Sequence, residues 1–90
     1  GCVLAPAFGA EPLPLRRRAV MRALQLMLGR DARVETASVE AVLAAFDDEA
    51  GGKPRSGYVA NIQGDLAVSA NKRGVRIEPM SAYRARRKRG

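Results

Sequence analysis

Apolar residues recur at three- and four-residue steps in two runs, 15–28 and 39–46, separated by the polar connection 29–36, then at two-residue steps within residues 58–78. The first spacing marks one face of a helix and the second one face of a strand. Leu15, Ala19, Ala23, Leu26 and Met27, widened by Val20 and Leu24, predict a helix over 15–28. Pro14 suits a first turn, where a missing N–H costs nothing, and Gly29 suits the C-terminal cap. Arg18, Arg22 and Gln25 fall together on the opposite face. Val39, Val42, Leu43 and Phe46 follow i, i+3, i+4, i+7 and predict a second helix over 39–49. Thr36 or Ser38 can cap it, and Gly51-Gly52 stops it.

Three short β-prone runs follow, over 58–62, 66–70 and 75–78. Gln63-Gly-Asp65 and Asn71-Lys-Arg-Gly74 separate them as hairpin turns, and Pro79 ends the last. The expected fold is α+β, with two helices packed against a small three-stranded antiparallel β-meander. Residues 1–12 read as a linker or loosely packed arm, 13–79 as the domain, and 80–90 as a basic tail or linker.

Ninety residues suffice for one domain and one core. A chain of this size buries only about 60–65% of the surface its unfolded form exposes. No apolar stretch approaches the roughly 20 residues that span a bilayer, so no membrane partner is expected. The opening, broken at Pro6 and Gly9, lacks the basic leader of a signal peptide. It reads as the start of a piece of something longer. Cys2 is the single cysteine and there is no histidine. An internal disulfide, a zinc site and the usual general base at neutral pH are thereby excluded. No catalytic set, metal site or cofactor is expected within the chain, and the lack of disulfides fits a cytoplasmic setting.

The net charge is +7, but Arg84, Arg86, Arg87, Lys88 and Arg89 supply five of the sixteen basic residues. Without them eleven basic residues face nine acidic ones. The tail is either a phosphate-binding arm or a linker, extended by its own repulsion. Arg16, Arg17, Arg18 and Arg22 crowd the start of the first helix, where cations oppose the helix dipole. Asp47, Asp48 and Glu49 sit at the end of the second. Antiparallel packing would pair the two clusters; the rival use of the arginines is phosphate binding. Arg18 and Arg22, facing outward, are the better phosphate candidates. Arg16 falls within the apolar arc and should run its stem along the core. Lys53 and Arg55, after the glycine pair, and Lys72, Arg73 and Arg76, at the second hairpin turn, complete the candidate nucleic-acid contacts. Solvated surface is their alternative reading. Gly51-Gly-Lys53 matches a phosphate loop by letter only, because Pro54 stands where Ser or Thr is required. Two tyrosines and two phenylalanines are too few for a base-stacking platform.

In order and spacing, several segments together resemble the substrate-binding domain that follows the catalytic domain of tRNA(Ile)-lysidine synthase. They are Leu13-Pro-Leu-Arg-Arg-Arg-Ala-Val-Met-Arg22, Ser38-Val-Glu-Ala-Val-Leu43, Gly52-Lys53 and Tyr58-Val-Ala-Asn-Ile-Gln-Gly-Asp-Leu-Ala-Val68. The resemblance covers about residues 13–77. It implies a bacterial, cytoplasmic parent enzyme that uses ATP and magnesium to join lysine to a cytidine of a tRNA anticodon. That chemistry belongs to an N-terminal domain with a Ser-Gly-Gly-x-Asp-Ser loop, which these residues lack. The chain is then expected to be noncatalytic and to hold tRNA through its phosphate backbone. Its other partner is the catalytic domain of the same polypeptide. The rival expectation is a structural interdomain or dimerisation module without RNA contact; a homo-oligomer fits either.

Overall fold

The computed structural model describes residues 1–88. Its strands are β1 (Cys2–Leu4), β2 (Phe46–Asp47), β3 (Lys53–Pro54), β4 (Val59–Ile62), β5 (Leu66–Asn71) and β6 (Gly74–Pro79). Its helices are α1 (Leu13–Leu28), α2 (Thr36–Leu43) and α3 (Met80–Lys88). Short 3-10 turns lie at Pro6–Ala10, Asp48–Ala50 and Gln63–Asp65. The expected two helices on a three-stranded meander are therefore corrected. The described residues form three helices and two antiparallel sheets, one four-stranded in the order β1-β6-β5-β4 and one two-stranded, β2-β3.

Strand alternation sorts the large sheet into two faces. Cys2, Ile77, Val68 and Ala60 are paired across it in one row, and Leu4, Val75 and Ala70 in the next. These rows meet Val20, Leu24, Val39, Val42, Leu43 and Phe46 in the core beneath α1 and α2. Val3, Arg76, Ser69 and Val59 form the intervening row on the other face. Glu78 and Ala67 form a further outer pair, and α3 turns back after Pro79 to lie against β5 and β6. Residues 2–4, read from sequence as an arm, thus supply the edge strand next to β6. Residues 80–90 read as a basic tail or linker; of these Met80–Lys88 form a helix, and Arg89 lies outside the described residues.

The buried side of α1 carries Arg16, Val20 and Leu24, at four-residue steps. Leu15 and Leu26, expected on the core stripe, are 57% and 85% exposed. Arg16 takes the buried position instead, at 6% exposure. Its stem enters the core while Nε donates to the Glu11 carbonyl at 2.7 Å and Nη2 pairs with Asp48 at 3.3 Å. Gly29 closes the helix with φ 111°, its N–H bonded to the Gln25 carbonyl. The Gln25 side chain donates to the carbonyls of Gly29 and Ala32, both at 2.7 Å, and so shapes the connection rather than facing solvent.

The second helix stops at Leu43, short of the expected Glu49. The Ala45 N–H bonds the Val42 carbonyl, and Arg55 N–H bonds Ala45 O, turning the chain into β2. Phe46 still reaches the core, from a strand, and its ring lies 5.6 Å from that of Phe8. Neither Thr36 nor Ser38 caps α2. Its N-cap is Glu35, and the Ser38 hydroxyl accepts the Gln63 N–H at 3.2 Å. Gln63 also bonds Glu35 N–H through Oε1 and donates to the Arg33 carbonyl at 2.8 Å. One side chain thus ties the connection before α2 to the β4–β5 turn.

Candidate nucleic-acid interface

Gly51-Gly-Lys53 does not fit a nucleotide. Gly52 is buried against Gly9, and a Cβ built on it would stand 2.1 Å from the Gly9 carbonyl oxygen. The space a phosphate loop leaves for oxyanions is filled here by backbone. Among the described residues no group of three or more Cys, Asp or Glu is placed to hold a metal ion. Among the same residues, no helix is long and apolar enough to cross a membrane.

Two of the four arginines in the α1 cluster are paired internally. Arg16 pairs with Asp48 and Arg17 with Glu40. Arg55 pairs with Asp47 at 3.5 Å and donates from Nε to the Ala44 carbonyl at 2.9 Å, so this candidate is engaged in holding the α2–β2 corner. Arg86 pairs with Glu78. Among the described residues the other candidates, Arg18, Arg22, Lys53, Lys72, Arg73 and Arg76, have no carboxylate within 4.0 Å. All six are exposed.

These exposed cations do not form one patch. Arg18 and Arg22, with Arg17, border an open groove along α1 whose remaining wall is Leu13, Pro14 and Met21. Lys53 stands in the small β2–β3 ladder, opposite Asp47. Lys72 and Arg73 are the two turn residues of the β5–β6 hairpin, whose flanking pair is Asn71 and Gly74. Asn71 Oδ1 accepts the Arg73 N–H at 2.7 Å, an Asx turn that fixes the tip. Gly74 has φ 135°, and a Cβ there would come within 2.2 Å of the Leu4 carbonyl oxygen. The tip is thereby held against the end of β1.

The hairpin opens onto a cleft of about 180 Å³ between the outer sheet face and α3. Val3, Ser69, Asn71, Arg73, Arg76 and Arg86 line it. Ser69 is the direct cross-strand partner of Arg76, so hydroxyl and guanidinium share one face. A second recess of about 340 Å³ continues it past Ser69 and Asn71 to Tyr83 and Arg87. Sequence reading missed Ser69 and Asn71 as parts of a site, and took Tyr83, Arg86 and Arg87 only as members of a tail that is either a phosphate-binding arm or a linker. The usable signal was Glu78 followed eight residues later by Arg86, with Met80 and Tyr83 at helical spacing between them.

Glu78 is 6% exposed and its carboxylate receives both Nε and Nη2 of Arg86. This hydrogen bonding raises the Arg86 pKa above its ordinary value, with Coulombic help from Glu78 and against a desolvation penalty. Arg86 and Arg87 also lie over the Tyr83 ring, at 5.7 and 5.9 Å from its centre. The arrangement offers positive charge and neutral hydrogen-bonding groups in a concave surface. It can bind and orient an anion. No protein-family model, curated protein or solved structure is significantly similar to the chain.

Proposed function

We propose that the chain is a noncatalytic tRNA-binding domain that positions its substrate for a tRNA(Ile)-lysidine synthase. In this reading the parent enzyme's ATP-dependent joining of lysine to the anticodon takes place on another domain, in the cytoplasm. The observation that carries the proposal is the state of the cations. Of the fifteen basic side chains described, only four pair with a carboxylate. A fold that needed its arginines for internal pairing would leave fewer outward. The order of the Leu-Pro-Arg-rich, Val-Glu-Ala and Gly-Lys segments supplies the family part of the reading. Recognition by phosphate contact and shape suits a surface with two tyrosines.

The test is binding of a tRNA transcript by the chain across a salt series. Phosphate clamping predicts that log K falls linearly with log salt, by close to one unit of slope for each phosphate neutralised. In the parent enzyme, deleting the segment should weaken tRNA binding and flatten that slope. Absence of binding at low salt by both chain and parent segment overturns the proposal.

A second reading, docking on a neighbouring domain or a second copy, is favoured by one observation. Leu13, Leu15, Met21 and Leu26 of α1 are exposed. Docking predicts that deletion lowers the stability of the parent and leaves the salt slope intact.

A further inference from the structure

We infer that the cleft under α3 is the seat of one RNA backbone phosphate, held by Arg73, Arg76 and Arg86; this rests on the RNA-binding reading above. The part of the cleft under the three guanidiniums is about 180 Å³ and opens into the recess of about 340 Å³ beside Tyr83 and Arg87. It suits a small ionic group that remains attached to something larger outside.

Charge points the same way. Three guanidiniums line the cleft, and none of its lining residues is acidic. The nearby Glu78 is already engaged by Arg86 through two nitrogens, which fixes the arginine's plane beside the sheet. Arg73 and Arg76 have no such partner among the described residues and keep their full charge for a ligand. Ser69 adds a hydroxyl beside Arg76. Asn71 uses Oδ1 for the Arg73 turn, so its Nδ2 donors are not consumed there. Arginine forks with neutral donors make up the chemistry that fixes a phosphodiester in place.

The α1 groove lacks these features. Besides its arginines it is lined by Leu13, Pro14 and Met21, with no neutral donor side chain. Arg18 and Arg22 therefore add long-range attraction but no seat.

The test compares two double variants by fluorescence anisotropy with one labelled tRNA transcript. Arg73→Ala with Arg76→Ala should weaken binding at least tenfold and reduce the salt slope by about one unit. Arg18→Ala with Arg22→Ala should weaken it two- to threefold. All four residues are exposed, and circular dichroism melts verify that both variants fold. Equal losses from the two variants, or no loss from the cleft variant while the unmodified chain binds, overturn the seat and leave the RNA-binding reading standing. Failure of the unmodified chain to bind RNA removes both.

Discussion

Gly52 and Gly9 meet backbone to backbone, and neither has room for a methyl group. A Cβ on Gly52 would also demand an L residue at φ 83°. Gly52→Ala should therefore cost about 3 kcal/mol in urea denaturation, from overpacking and backbone strain together. Tyr58 makes a different kind of contact. Its hydroxyl donates to the Ala41 carbonyl at 2.6 Å, and burial pushes its pKa above the usual 10.0 while the charge of Arg55 pulls it partway back. The folded state thus prefers the neutral phenol. That contribution is complete below pH 10 and is lost as the pH climbs through the raised folded value. Tyr58→Phe should lose about 1 kcal/mol at neutral pH and show a shallower alkaline decline in denaturation midpoints. At this scale, legibility from sequence depended on how sharply a helix stripe is bounded. Val39, Val42, Leu43 and Phe46 are all buried as their spacing implies. Helix α1 is apolar around much of its circumference, so the spacing that set the Arg16 stem along the core set Leu15 there too, and did not separate Leu24 from Leu26.

Among the elements, α3 shows the coupling of stability and site. Glu78 is nearly enclosed and depends on an arginine that is half in water. Arg86→Ala should lower stability by about 1–3 kcal/mol, less than for a fully buried pair because solvent screens the exposed partner. Adding Glu78→Gln should recover most of the loss, a coupling that a double-mutant cycle in chemical denaturation measures directly. This helix was not legible as one because its run of cations repels itself in isolation. Met80, Tyr83 and the buried Glu78 carboxylate supply the compensation, and of these Met80 and Glu78 depend on burial in the folded molecule. The contiguous strands β4, β5 and β6 were legible for the opposite reason. Each pairs with its neighbour in sequence, and Gly64 and Gly74 mark the turns with positive φ. β1 pairs with β6 from the far end of the chain, a contact that local patterning does not encode.

The described residues form a slab of 36 × 31 × 17 Å, with a core between the sheet and the α1–α2 pair. A chain of this size carries about 5–13 kcal/mol of stability, so one core truncation removes a large share. Leu24→Ala should cost about 2–5 kcal/mol, whereas Leu26→Ala should stay within about 0.5 kcal/mol; paired thermal melts check both. The slab also explains why the candidate cations were legible one by one while their arrangement was not. α1 and α3 lie on opposite faces of the sheet, so Arg18 and Arg76 belong to different surfaces despite similar exposure and charge.

β1 is a three-residue edge strand, and its Val3 walls the anion cleft. An edge held by so few ladder pairs opens locally far more often than the sheet behind it. A ligand resting on Val3 is bound only while that edge is shut, so occupancy keeps it shut by mass action. Deuterium should consequently enter the amides of residues 2–4 more slowly as the cleft fills. The first strand of the chain is a clasp whose loosening reports, in the backbone itself, whether anything is held.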